Sequence, residues 1–88
     1  MTNERVRELL GIKEVELFGP ILDLGGVLID LRKLFVIRKN VVYRDGNVTD
    51  DWPVISSIAT DRVNEGLHLP WIRWDNFKAF WTEYSNER

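Results

Sequence analysis

Residues 21–31 have the sequence ILDLGGVLIDL, in which two apolar runs flank the pair Gly25-Gly26. Two glycines between apolar runs indicate a β-hairpin, because a two-residue type I′ turn needs positive φ at both central positions. We therefore expect antiparallel strands over 21–24 and 27–31, joined by this turn.

The sequence before this hairpin predicts a short helix and then a strand. Thr2 or Asn3 suits the N-cap of the helix, and Gly11 suits a left-handed C-cap. Residues 12–18 then alternate between apolar and polar side chains, which indicates a half-exposed strand. The apolar face of the helix consists of Val6, Leu9 and Leu10.

Two further β-prone runs follow the hairpin, at residues 34–37 and 41–43. A turn at residues 39–40 would separate them into two strands. Alternatively, one long strand continues to Asp45-Gly46, which is a favoured turn pair. The strand count therefore depends on which of these two turns the chain uses.

After Asp51 the spacing of apolar residues changes to that of a helix. Asp50 or Asp51 would cap this helix, Pro53 suits its first turn, and Gly66 suits its end. A last helix is predicted with Asp75 as its cap. The apolar positions are Trp52, Ile55, Ile58, Ala59 and Val63 in the first of these helices, and Phe77, Phe80, Trp81 and Tyr84 in the second.

Together these elements predict an α+β fold. It has a short N-terminal helix, an antiparallel β-meander of three to five strands, and two C-terminal helices packed on one face. Residues 1–88 are enough for a single compact domain. Because no disulfide can stabilise so small a domain, either its core is rich in aromatic side chains or a partner subunit completes it, and we expect Trp81 to be buried beside Phe77.

Composition excludes several classes of function. Twelve Lys and Arg against 14 Asp and Glu leave a net charge of −2, which rules out a strongly basic protein of histone or ribosomal type. The absence of cysteine and the single histidine, His68, leave little for metal or triad chemistry. The charged N-terminus and the short apolar runs predict a cytoplasmic protein with no membrane contact.

Residues 21–30 resemble the first motif of haloacid-dehalogenase-type phosphatases, in which an aspartate at the end of a buried strand is the nucleophile. The resemblance implies this role for Asp23. The family carries a second aspartate two positions later as general acid, and this chain has Gly25 there. We therefore interpret the segment as a Gly-Gly hairpin and expect no enzymatic activity, no cofactor and no metal.

Charge is distributed unevenly along the chain. Residues 1–31 hold 3 basic and 6 acidic side chains, residues 32–44 hold 5 basic and none acidic, and residues 45–88 hold 4 basic and 8 acidic. The basic segment would bind phosphate or an acidic partner. Alternatively, it pairs with its acidic flanks and protects an edge strand. Its basic residues are Arg32, Lys33, Arg38, Lys39 and Arg44.

Aromatic residues are concentrated between positions 71 and 84. Trp71 and Trp74 precede the predicted helix with Arg73 between them. An exposed tryptophan near an arginine is typical of a protein-binding hot spot. The alternative is that all these rings pack against the sheet.

We therefore predict a small protein-binding module that acts by surface occupancy. It would be an inhibitor, adaptor or regulatory subunit of the kind that phages and mobile elements encode, and its partner would be another protein or a second copy of the chain. The alternative function is nucleic-acid binding through residues 32–44.

Overall fold

The computed structural model describes residues 1–57 and 66–87 and has an α+β fold. Its strands form two antiparallel three-stranded sheets, sheet 1 in the order β1-β2-β3 and sheet 2 in the order β4-β5-β6. In this part of the chain no helix combines the length and apolarity needed to cross a membrane. The elements are α1 (Asn3–Leu10), β1 (Glu16–Phe18), β2 (Ile21–Asp23), β3 (Leu28–Asp30), a 3₁₀ turn (Leu31–Lys33), β4 (Val36–Arg44), β5 (Asn47–Ser56), β6 (Leu67–His68) and α2 (Trp74–Asn86).

The predicted N-terminal helix is confirmed as α1, with both predicted caps. The Thr2 hydroxyl accepts a hydrogen bond from the Arg5 backbone N–H at 3.1 Å, which satisfies one of the free donors of the first turn. At the other end Gly11 adopts a left-handed conformation (φ +69°) and donates its N–H to the Arg7 carbonyl. This part of the fold therefore follows from local residue types alone.

The predicted Gly-Gly hairpin is confirmed between β2 and β3, but its turn differs from type I′. Gly25 has a φ of +90°, whereas Gly26 does not have positive φ, which is the sign pattern of a type II′ turn. The Asp23 carboxylate accepts from the Gly25 N–H at 2.9 Å and supports the turn. The paired residues Leu22 and Ile29 face the core.

Strand β4 is one long strand, so the alternative that continues to Asp45-Gly46 is correct. Asp45 (φ +54°) and Gly46 (φ +79°) both have positive φ, as a type I′ turn requires. The register shifts between Val42 and Tyr43, and Thr49 is the extra residue on β5. The strands of this hairpin therefore extend beyond the core, and the residues of both strands that lie next to the turn are exposed.

The helix predicted after Asp51 is wrong over its described part, because residues 52–56 belong to β5. Residues 58–65 of that predicted helix lie outside the described residues. Of the two predicted C-terminal helices, the described chain contains α2.

Tertiary pairing explains why this segment is a strand. Trp52 and Ile55 are three residues apart, and over so short a run the helical and the extended pattern of burial are hard to tell apart. Pairing with β4 sets Ile55 opposite Ile37, on the face that packs against the core. The strand therefore buries Ile55 through contacts that are distant in sequence.

Pro53 lies in the middle strand of sheet 2, where its missing N–H limits pairing. Its carbonyl accepts from the Leu69 N–H at 3.0 Å, but it has no N–H to donate to the Leu69 carbonyl. That carbonyl instead accepts from the Ile72 N–H at 3.1 Å, so the chain leaves the sheet and turns toward α2. The proline therefore limits the pairing of β6 beyond His68.

Helices α1 and α2 pack side by side and are joined by a charge-assisted pair. The Arg5 guanidinium donates from Nε and Nη2 to the two carboxylate oxygens of Glu83, each at 2.9 Å. These bonds lower the pKa of Glu83 and raise the pKa of Arg5. The first and last described elements are thereby held together.

The core contains residues from both sheets and both helices. Phe77 and Phe80 of α2 are fully buried (0% exposed), with ring centroids 5.9 Å apart. Trp81 is half-buried at the edge of the core, so the prediction that it is buried like Phe77 is wrong. The four rings at positions 77, 80, 81 and 84 form a broad apolar face on α2, and the core covers only part of that face. The buried residues of this core cluster are Val6, Leu10, Val15, Leu22, Leu24, Ile29, Leu31, Ile55, Leu69, Ile72, Phe77 and Phe80.

Replacing Phe80 with alanine should lower the free energy of unfolding by about 3–5 kcal/mol, because the ring is fully buried and leaves a cavity. Trp81→Ala should cost less, since part of the indole already contacts solvent. As a control, Phe18→Ala removes an exposed ring and should change stability by less than about 0.5 kcal/mol. Urea unfolding of the three variants tests this order, and an equal loss in Phe18→Ala would contradict it.

Candidate functional site

A groove of about 360 Å³ lies between α2 and the segment that leads into β4. We call it the aromatic groove. Phe35 is 70% exposed at this groove, while Trp74 and Trp81 are half-buried. Three large rings therefore meet on one accessible surface. The lining residues are Leu34, Phe35, Ile37, Trp74, Phe77, Lys78, Trp81 and Thr82.

The wall of the groove that precedes β4 is fixed by backbone pairing and by packing. The Phe35 N–H donates to the Ser56 carbonyl at 2.9 Å, which holds this residue beside the end of β5. Leu34 and Ile37 pack partly buried against the core. Because its neighbours on both sides are anchored in this way, the Phe35 ring is held at the surface.

The opposite wall depends on where α2 begins. The Trp74 N–H donates to the Asp51 carboxylate at 3.0 Å, so a side chain of β5 caps the helix. Asp75 was the predicted cap, and this prediction is wrong. The N-cap position is occupied by Arg73, which makes no side-chain cap bond, and Asp75 lies in the first turn. A carboxylate at this end also interacts favourably with the helix dipole.

The lining of the groove carries one positive charge, and the Asp51 carboxylate lies at its end, bonded to the Trp74 N–H. Lys78 is the one charged side chain among its described lining residues, and none of them is a carboxylate. Lys39 lies on the same face of β4 as Ile37, two residues further along, and it is exposed. The groove therefore favours an apolar ligand that carries negative charge.

The predicted basic segment does not form one continuous surface. Arg32 is bound to Asp30 by two side-chain hydrogen bonds, each 2.9 Å long. These bonds, with smaller contributions from the Arg32 backbone N–H and from nearby positive charge, lower the pKa of Asp30 to about 2. Lys33 is exposed at the end of the 3₁₀ turn.

The three remaining basic residues are separated by the geometry of β4. Because side chains alternate along a strand, Arg38 and Lys39 lie on opposite faces of sheet 2. Arg44 is at the far end of β4, next to the turn. Of the five basic residues, Lys39 is the one that shares the strand face adjoining the aromatic groove.

Of the three predicted residues near α2, only Trp74 lines the aromatic groove. Trp71 is 47% exposed, and Arg73 is also exposed. Sequence reasoning did not predict four lining residues that define the groove. These are Phe35, Ile37, Lys78 and Trp81. A β-prone run indicates that Phe35 lies near a strand, but it does not indicate whether the ring is exposed.

Two side chains considered for catalysis have structural hydrogen bonds. Asp23 is the last residue of β2, and its carboxylate accepts from the Gly25 N–H. The Nδ1 atom of His68 accepts from the Trp52 indole N–H at 3.0 Å. In the described part of the chain no three His, Asp or Glu side chains are grouped to hold a metal ion.

No protein-family model, no curated protein and no solved structure matches this chain at a significant level. The functional argument therefore depends on the geometry of the aromatic groove and its surroundings.

Replacing Asp51 with alanine should lower the free energy of unfolding by about 0.5–2 kcal/mol, because the Trp74 N–H loses its capping acceptor. Asp51→Asn keeps an oxygen acceptor and should retain most of the stability. Asp75→Ala removes the cap predicted from the sequence and should cost less than Asp51→Ala. A larger loss in Asp75→Ala, measured by urea unfolding, would contradict the capping role of Asp51.

Carboxyl NMR titration should give Asp30 a pKa of about 2, below its ordinary value of 3.8, because Arg32 stabilises the ionised form. Arg32→Gln should return the pKa toward 3.8, whereas Lys33→Gln should move it less. Since the pKa is lowered in the folded state, its stabilising effect is present above pH 3.8 and is lost as the pH falls toward 2. An unchanged pKa in Arg32→Gln would contradict this assignment.

Proposed function

We propose that this chain is a protein-binding module without enzymatic activity. It acts by occupying a surface of its partner, as an inhibitor, adaptor or regulatory subunit. The observation that carries the proposal is the aromatic groove, where exposed Phe35 lies beside half-buried Trp74 and Trp81.

The energetics of apolar surface support this proposal. An isolated exposed apolar side chain is common on proteins, but several large rings around one concave surface are not. Fully burying a phenylalanine side chain contributes about 1.5–3 kcal/mol, so Phe35 offers binding energy that folding leaves unused. Aromatic side chains in well-packed pockets are also where most interface energy is concentrated.

The charges around the groove favour a protein partner over nucleic acid. A nucleic-acid site needs several basic side chains aligned along a phosphate backbone, but Arg38 and Lys39 lie on opposite faces of β4. Arg32 is already bonded to Asp30. The remaining positive charge at the groove is better suited to a few carboxylates on an apolar protein segment.

A quantitative pull-down tests the proposed function. The tagged full chain is incubated with a lysate of the source organism, and captured proteins are compared among wild type, Phe35→Ala and Phe18→Ala. Phe35→Ala should weaken capture of a specific protein by about tenfold or more, because truncating a central interface aromatic costs over ~1 kcal/mol. Phe18→Ala removes another exposed phenylalanine ring, on sheet 1, and should retain capture.

Two results would overturn the proposal. One is that every captured protein is retained equally by Phe35→Ala and by Phe18→Ala. The other is binding to DNA or RNA at physiological salt, with a log–log salt slope near −0.9 per phosphate contact on duplex DNA, that disappears in the double variant Arg38→Glu, Lys39→Glu. That second result would establish nucleic-acid binding through residues 32–44 instead.

A further inference from the structure

The aromatic groove lies beside the outer edge of sheet 2. In sheet 2 β4 is an outer strand, and within residues 1–57 and 66–87 no strand pairs with its outer side. Such an edge presents backbone N–H and C=O groups with which another extended chain can pair. The edge and the groove adjoin, because Ile37 belongs to both.

The hydrogen bond at Pro53 defines which backbone groups of β4 face outward. The Pro53 carbonyl accepts from Leu69, so it points toward β6 and away from β4. In an antiparallel ladder, two kinds of opposed pair alternate along the strands. In one kind, the backbone groups of the two residues hydrogen-bond to each other. In the other kind, the backbone groups of both residues point away from each other. Lys39 opposes Pro53, so its N–H and C=O point to the outer edge. The same holds for Ile37 and Val41, two positions away on either side.

The side chains at these outward-facing positions lie on the face that packs against α2. A strand added to β4 would place its alternate side chains on this same face, next to Ile37 and Lys39. A side chain beside Ile37 would enter the groove near Phe35, which is apolar. A side chain beside Lys39 would lie next to the positive charge of Lys39 itself. Lys78 is the charged residue of the groove lining.

We propose, on the basis of the function proposed above, that the partner presents an extended segment that adds to β4 as an antiparallel strand. The segment carries an acidic residue opposite Lys39. Two positions later it carries a large apolar residue opposite Ile37, which enters the aromatic groove beside Phe35. Antiparallel pairing is the more stable arrangement per residue, and it sets the order acidic-x-apolar along the segment.

A synthetic peptide tests this inference directly. The probe is the octapeptide Ac-TTVEVFTT-NH2, in which glutamate and phenylalanine are two positions apart on one strand face. On titration into the isotopically labelled full chain, the amide resonances of Ile37, Lys39 and Val41 should shift. The indole resonances of Trp74 and Trp81 should shift with them.

Backbone N-methylation of the peptide separates strand addition from side-chain docking. Residues opposite Lys39 and Ile37 donate their own N–H groups to β4, so methylating the glutamate and phenylalanine nitrogens should weaken binding by about tenfold or more. Methylating the two valine nitrogens leaves these donors intact and should retain binding. Replacing the glutamate with lysine should also weaken binding, because it places like charges together.

Matched protein variants locate the site. Lys39→Glu and Phe35→Ala should each weaken binding by about tenfold. The control variants Lys13→Glu and Phe18→Ala change exposed residues of the same types elsewhere on the protein. Their affinity for the peptide should stay within about twofold of wild type. All four side chains are exposed, and amide spectra of the free variants verify that each one is folded.

The outcomes distinguish this inference from the proposed function. Equal binding of both N-methylated peptides, or shifts confined to α2, would overturn strand addition while leaving the groove as a protein-binding site. No binding of the glutamate peptide at millimolar concentration would overturn it as well. Concentration-dependent shifts of the β4 amides without peptide would show that a second copy pairs with the edge. The proposed function itself is tested separately, and it fails when Phe35→Ala has no effect in the pull-down or when residues 32–44 bind nucleic acid as described above.

Discussion

The hydrogen bond from the Trp74 N–H to the Asp51 carboxylate connects β5 to the start of α2, the helix that contributes to both the core and the groove. Pro53, two residues along the same strand, ends the pairing with β6 because it has no N–H to donate. The chain therefore leaves sheet 2 at Leu69, turns through the bond from Ile72, and meets Asp51 where the helix begins. Strand β5 therefore limits the pairing of β6 through Pro53 and caps α2 through Asp51.

Helix α2 contributes to the core and to the candidate site with different faces. Phe77 and Phe80 are fully buried, whereas Trp74 and Trp81 lie at the edge of the core and line the aromatic groove. The core and the candidate site therefore share one element, and the position of the groove follows from the packing of the core. Phe35 is different, because its ring is mostly in solvent and its loss removes few internal contacts.

The charge pattern shows how local pairing and strand geometry modify what composition predicts. A segment with five basic residues and no acidic residue suggests one positive surface. Arg32 is instead bonded to Asp30, and alternation along β4 directs Arg38 and Lys39 to opposite faces. The positive charge that remains beside the groove is small, which suits a short acidic segment of a protein better than a phosphate backbone.

Features with local causes were predictable from the sequence, namely the capped helix α1 and the hairpin at Gly25-Gly26, while the turn at Asp45-Gly46 was one of two alternatives that the sequence left open. Each depends on residues that are close in sequence and on backbone conformations that few residue types adopt. The extended state of residues 52–56 and the cap of α2 depend on tertiary structure. Ile55 is buried by pairing opposite Ile37, and Asp51 caps a helix that begins 23 residues later in the chain. The aromatic groove belongs to this second group, because whether a ring is buried depends on what packs against it, and no local pattern encodes that contact.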